Sequence, residues 1–186
     1  MVGLKRELVD KITNYVLLFL TFSFIGYLWE VGIKLLMMGI LVNSGTLYGP
    51  WIPIYGFGGL FVLFFLKRFK EKPFVVFILS LLICTSLEYF IGYYLEATKG
   101  MRWGDYSNYL ININGRVCLE GAIIFGLAGC VVIYIAEPFF TKLFAKIPYL
   151  VKIIVATILI ALFITDFIYV QSHPNIGEGI TFNEKT

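Results

Sequence analysis

Five blocks of mainly apolar residues divide this sequence, at about 12–38, 50–66, 74–96, 117–136 and 149–170. Each is long enough to carry a helix across a bilayer, which takes about 20 mainly apolar residues. The first is interrupted by Glu30 and Lys34, the third by Glu88, the fourth by Glu120 and the fifth by Asp166, whereas the second is uncharged and has Pro50 and Pro53 in its first turn. Proline is tolerated there, because the amides of a helix's first turn have no intrahelical partner. The first apolar run, Ile12–Ile33, is 22 residues long. It exceeds a signal-peptide core, and no A-x-A cleavage site follows it, so it reads as a retained helix. The pattern predicts an all-α membrane protein of five transmembrane helices in a single integral domain, 1–186, with 171–186 as a short external tail.

Composition agrees with this. The 186 residues are 59% hydrophobic and 18% aromatic, with 15% charged, and mean hydropathy is +0.85. A soluble domain carries about 25% charged residues. The net charge of +3 is too small to argue for a nucleic-acid partner; the lysines are better explained by topology. Cys84, Cys118 and Cys130 sit in or beside apolar runs and read as buried free thiols. His173 stands alone, without the neighbours of a zinc site.

Lysine and arginine set the orientation. With the N-terminus inside, ten basic residues face inward: Lys5, Arg6, Lys11, Lys67, Arg68, Lys70, Lys72, Lys142, Lys146 and Lys152. Five face outward: Lys34, Lys99, Arg102, Arg116 and Lys185. The acids are biased the other way. Glu7, Asp10, Glu71 and Glu137 are inner, while Glu30, Glu88, Glu96, Asp105, Glu120, Asp166, Glu178 and Glu184 are outer or in outer half-helices. The expected topology is N-in, C-out, with two external loops, 41–50 and 98–116. FIGYLWE at 24–30 recurs as FIGYYLE at 90–96, and at the same offset of 66 Gly49 falls on Gly115. This suggests a parallel duplication of a two-helix hairpin, helices 1–2 and 3–4, related by an axis along the membrane normal. Glu30 and Glu96 then become equivalent, each four residues after a glycine, Gly26 or Gly92.

The chemistry concentrates at that outer side. The stretch Arg102–Leu119, RWGDYSNYLININGRVCL, is the longest polar interruption and is rich in asparagine, aromatics and charge. Such a composition suits a loop folded back onto the protein. Glu88 lies 14 residues into its run, about 21 Å from the inner end. A carboxylate there costs about 2.5–3.5 kcal/mol to insert, so it needs a partner, water or a proton. It lines a functional cavity or makes a structural hydrogen bond. Arg116 is a counter-charge for one of the acids, either clamping the loop or gripping an anionic substrate group. In LVNSGTLYGPWIPIYGFGG, 41–59, glycines and prolines mark a glycine-rich turn or a re-entrant segment whose helix starts below the surface. Most of the outer tryptophans and tyrosines read as an interfacial belt. No nucleophile has a base beside it.

NSGTLYGPWIPIYGFGG and RWGDYSN…NINGRVCL, with FIGYLWE and LEYFIGYYLE, resemble the bacterial ABC-transporter permease, type IV, membrane family, over about 19–129. The resemblance implies transport and marks Glu30, Asn43, Gly45, Gly49, Pro50, Pro53, Tyr55, Gly56, Glu88, Glu96, Trp103, Asp105, Tyr106, Asn112, Asn114, Gly115, Arg116 and Cys118 as signature positions. Ser44 stands where the family often has arginine, which would weaken a substrate clamp there, and Gly104 where it often has tryptophan. With no Walker A motif in the chain, ATP use would require a separate ATPase subunit. At this length the chain fits half of a homodimeric permease or a small substrate-capturing component of the bacterial cytoplasmic membrane.

The favoured expectation is a permease-like or solute-binding subunit with an outward polar cavity capped by the two external loops. Glu30, Glu88, Glu96 and Arg116 line it, with Asn43, Tyr55, Trp103, Asp105, Tyr106, Asn112 and Asn114 as further candidates. The acids would take a cation, a proton or an amine-bearing solute. No motif names a cofactor. One alternative is a membrane enzyme acting on an outer-leaflet lipid or lipid-linked sugar, with carboxylates as acid and base and a hard divalent cation on their oxygens. Another is a scaffold for other membrane proteins.

Overall fold

The computed structural model describes residues 2–181; Glu184 and Lys185, counted above as outer charges, lie outside the described residues. The protein is mostly helical. Helices α1 (Val2–Met38), α2 (Pro53–Leu66), α3 (Pro73–Lys99), α4 (Leu119–Val131), α5 (Glu137–Ala145) and α6 (Tyr149–Ser172) follow in chain order. A two-stranded ribbon, β1 (Asn112–Ile113) and β2 (Val117–Cys118), precedes α4.

Four helices are long and apolar enough to cross a membrane: Gly3–Met38, Pro73–Lys99, Leu119–Ala145 and Tyr149–Ser172. The third of these combines α4, a π-helical segment at Val132–Ala136, and α5. The π segment lies just before Pro138, whose ring cannot supply the regular amide. It absorbs the mismatch, so the helix runs beyond 136, where the apolar pattern alone would end it.

Helix α2 has only 14 residues, about 21 Å at 1.5 Å per residue. It begins at Pro53 rather than Pro50. The residue before a proline is held out of the helical region, and Ile52 is extended, with φ −115° and ψ 105°. Its N–H donates to the Ser23 carbonyl at 3.0 Å. Ser23 lies 15 residues before the end of α1, so α2 starts about 22 Å below that end. Residues 39–52 descend beside α1 to meet it. Gly56 makes this approach possible, because a side chain there would collide with Phe19 and Ser23.

Helix α2 is also the centre of the core. Val62, Leu63 and Leu66 pack with Leu17, Leu18 and Phe22 of α1, Val76 of α3, Ile133, Phe144 of α5 and Ala156 of α6. A second cluster joins Phe19 and Leu20 to Leu47 of the descending loop and to Phe163 and Val170 of α6. Outward-facing surfaces are apolar as well, as at Leu36, Phe64 and Leu150. Met38, Lys99, Leu119 and Ser172 mark one end of the bundle, the loop end. Val2, Leu66, Ala145 and Tyr149 mark the opposite end.

Candidate functional site

The loop-end polar residues fall into two bonded groups and a set of straps. In the first group Glu96, in the last turn of α3, bridges two arginines. Arg102 Nη2 donates to Oε1 at 2.8 Å. Arg116 Nε donates to Oε2 at 2.9 Å, and its Nη2 lies 2.8 Å from the same oxygen in ion-pair contact. The Arg116 stem lies on Gly92, and its guanidinium lies 5.7 and 5.4 Å from the rings of Tyr89 and Tyr93. The Asn114–Gly115 turn delivers Arg116 to this position. Both residues have positive φ, 53° and 66°, which asparagine and glycine tolerate best. The Arg116 N–H closes the turn on the Ile113 carbonyl at 3.0 Å.

The second group pairs carboxylates with phenols. Tyr55 of α2 donates to Glu30 Oε1 at 2.6 Å, its ring lying against Gly26. Tyr106 of the long loop donates to Glu88 Oε1 at 3.0 Å. The four side chains lie within electrostatic range of one another. Among the described residues no lysine or arginine is within ion-pair distance of Glu30 or Glu88, although Lys34, one turn beyond Glu30, feels its charge. Burial, reinforced by the Glu88 carboxylate, pushes the Tyr106 phenol well above its usual range, so it stays a donor. Cys118 lies beside this group. Its thiol is likewise raised, chiefly by burial, and its sulfur accepts from the Gly121 N–H at 3.4 Å, capping α4.

The remaining candidates hold the loops. Asp105 Oδ1 accepts from the Ser107 N–H and Oγ at 3.0 and 2.6 Å and lies 3.9 Å from Arg102. Asn112 Oδ1 accepts from the Gly115 N–H at 2.9 Å, and Asn114 Nδ2 donates to Tyr89 at 2.9 Å. Asn43 Nδ2 donates to the Tyr48 carbonyl at 2.7 Å. Trp103 Nε1 donates to the Asn175 carbonyl at 3.2 Å. Ser44, at the position of the expected clamp, is fully buried, and its hydroxyl has no hydrogen bond among the described residues.

Arg116 therefore meets Glu96 and not Glu88, while Glu30 and Glu88 meet through tyrosines. Two anchors go beyond the sequence-based candidates. Asp166, noted above only as an acid in an apolar run, accepts from the N–H groups of Tyr48 and Gly49 and from Trp51 Nε1 at 3.2, 2.7 and 2.9 Å. Asn175 is buried, and its Nδ2 lies 3.0, 2.9 and 3.1 Å from the carbonyls of Asn43, Gly45 and Leu47. A lone asparagine in a polar tail carries no sequence signal for such a role. Arg102 was visible as charge within the loop.

Among the described residues no group of three or more His, Cys, Asp or Glu gathers as a metal site would. Residues 17–171 match the family described as "Putative ABC-transporter type IV". No curated protein and no solved structure matches the chain.

Proposed function

Because the chain belongs to the ABC-transporter type IV family of membrane proteins, we propose that it is a permease-like subunit binding a cationic solute at the Glu30–Tyr55 and Glu88–Tyr106 pairs. One observation carries this reading: two carboxylates from apolar helices lie within electrostatic range of each other and, among the described residues, have no basic partner at ion-pair distance and one phenol bond each. A carboxylate offers about four lone-pair directions, so both keep acceptor capacity. The phenol bonds, worth about 1.5–3 kcal/mol each with a charged partner, offset much of the cost of insertion. They do nothing for the repulsion between the two acids. A monovalent cation, a proton or a protonated amine between them would relieve it. The Glu96–Arg102–Arg116 group holds the long loop over this place, and Asp166 and Asn175 hold the other loop.

Five crossings, N-in and C-out, in one integral domain of the bacterial cytoplasmic membrane complete the proposal. The charge asymmetry along the sequence supports that orientation. In it α2 is a short crossing entered through a re-entrant segment, consistent with the Ile52–Ser23 bond deep along α1. Irregular backbone at that depth requires burial in protein, which Leu47 and Ser44 have. A hairpin duplication accounts for the repeated FIGY motifs, with Gly26 admitting a tyrosine ring and Gly92 an arginine stem. Energy from ATP would come from a separate ATPase subunit, and pairing of two copies would make a permease of ordinary size.

The test is ligand-induced thermal stabilisation of purified protein across a panel of monovalent cations and primary amines. At least one should stabilise the wild type, and Glu88→Gln and Glu30→Gln should each weaken that ligand at least tenfold while folding normally in its absence. A panel without effect on the wild type, or an effect kept by both variants, would refute the proposal.

A further inference from the structure

At the end of the bundle opposite the loops, the first turns of α1 and α6 leave two adjoining hollows, each of about 490 Å3. One is a furrow lined by Lys5, Arg6, Val9, Tyr149 and Leu150. The other is a cup whose polar lining includes Arg6, Glu7, Asp10 and Lys152. Arg6 and Tyr149 belong to both.

The charges in these hollows are arranged asymmetrically. Lys152 is only 3% exposed, and its ammonium bonds the Asp10 carboxylate and, at 3.0 Å, Asn14 Oδ1. Asp10 is thereby neutralised. Lys5 and Arg6 are exposed, and among the described residues no carboxylate lies within ion-pair distance of either. The Arg6 guanidinium lies 4.6 Å over the Tyr149 ring. Stacking of this kind occupies the face of the guanidinium and leaves its N–H edge available to a phosphate. Across the two hollows three basic side chains face two acidic ones, and Arg6 sits where furrow and cup meet, with Lys5 beside it in the furrow.

The location is interfacial. The long apolar run of α1 starts at Ile12, and α6 starts at Tyr149. Arg6 and Tyr149 therefore stand about where hydrocarbon gives way to headgroups, whichever face of the membrane this is. Exposed Leu4 and Leu8 continue an apolar stripe along α1 into that zone, as expected of a helix segment lying at an interface. Basic hollows between membrane helices at this level suit phosphate headgroups.

We infer that the two hollows form a single site for an anionic phospholipid. The phosphate lies where furrow and cup meet, against Arg6, with Lys5 beside it in the furrow. An acyl chain follows the furrow over Val9 and Leu150. Tyr149 supports the guanidinium between them, and the Lys152–Asp10 pair fixes the wall on which Arg6 stands. This site is separate from the loop-end carboxylates and does not depend on what they bind.

The experiment uses full-length protein, purified and delipidated. Lipid retention is read by native mass spectrometry and thermal stability in nanodiscs of phosphatidylglycerol or of phosphatidylcholine, with inorganic phosphate as a third arm. The wild type should retain phosphatidylglycerol and be stabilised by it over phosphatidylcholine. Arg6→Gln and Lys5→Gln should each lower that preference about fivefold, without changing stability in phosphatidylcholine. Equal stabilisation of the wild type by the two lipids would overturn the inference, as would a preference unchanged in the Arg6→Gln, Lys5→Gln double variant. Protection by inorganic phosphate as strong as that by phosphatidylglycerol would assign the site to a free anion and overturn the lipid reading.

Discussion

Replacing Arg116 with methionine asks how much of the stability of the loop end rests on the ion pairs around Glu96. Glu96, Arg116 and Arg102 are 13%, 14% and 18% exposed, so their mutual bonds are only weakly screened. Arg116 gives the carboxylate an Nε–H bond and a second ion-pair contact through Nη2, and Arg102 bonds its other oxygen. In Arg116→Met the acid keeps Arg102 and stays neutralised. The loss is one charge-assisted bond, worth about 1.5–3 kcal/mol, and the ion-pair contact beside it, less the desolvation that the missing guanidinium no longer suffers. The net cost should be about 2 kcal/mol. Glu96→Gln is a different perturbation. It removes the carboxylate that bridges two guanidinium groups in a small, mostly buried volume, and breaking a buried pair in that way costs about 3–5 kcal/mol.

A protein of this length loses about 2–4 °C of Tm per kcal/mol. Thermal unfolding in a single detergent, followed by tryptophan fluorescence, should therefore fall by about 4–8 °C for Arg116→Met and about 6–20 °C for Glu96→Gln. The double variant should cost less than the sum of the two, by about 2 kcal/mol, because the second change removes a cation the first has orphaned. Equal losses for the two single variants, or strict additivity in the double, would refute this account of the triad.

Asp166→Ala leaves two backbone N–H groups and the Trp51 indole without their acceptor; it should cost about 3 kcal/mol and red-shift Trp51 emission as the 40–52 loop loosens. Asn175→Ala releases the three carbonyls of residues 43, 45 and 47, so limited proteolysis should cut between residues 40 and 50 at least tenfold faster, with the helices intact. Burial holds the Cys118 thiol protonated above its ordinary range, whereas the unfolded chain releases that proton near pH 8.5. Its contribution to stability is therefore full below about pH 8.5 and declines as pH rises through the folded-state value. Between pH 8 and 10 the wild type should lose more Tm than Cys118→Ala does, and equal slopes would count against the burial argument.

The helices were legible in the sequence where an apolar run had only one reading. Those of α3 and α6 are nearly as long as the helices themselves, so their bounds move by a few residues at most. The start of α2 was less legible because Pro50 and Pro53 are both acceptable at a helix start; the choice fell to Ile52, whose amide finds the Ser23 carbonyl only once α1 is beside it. The length of α4 and α5 together was hidden by the Glu137–Pro138 pair, which reads as a stop unless a π segment takes up the missing bond. Lys152 illustrates the opposite case. Counted as one more interfacial lysine, it is buried, because α1 brings Asp10 and Asn14 to it from 138 or more residues away in sequence.

The candidate site divides along the same line, and for an energetic reason. A carboxylate inside an apolar run announces its need for a partner, since the cost of inserting it is fixed by local composition. That is why Glu30, Glu88 and Glu96 could be singled out as candidates from the sequence, and Asp166 noted as an acid in an apolar run. What satisfies each acid is supplied by tertiary structure. Glu96 takes arginines from the turn and loop that follow its own helix, 6 and 20 residues away, and this pairing was within reach of a local argument. Glu30 takes its phenol from α2, and that bond depends on how far down α1 residues 39–52 carry Tyr55. Asp166 is satisfied by two backbone amides and an indole from a loop 115 or more residues earlier. Backbone donors carry no residue-type signal at all. Glu30 and Glu88 differ from the other two in that, among the described residues, each accepts one phenol bond, which leaves acceptor capacity over. The unmet demand, rather than acidity as such, marks them as the pair on which a ligand would act.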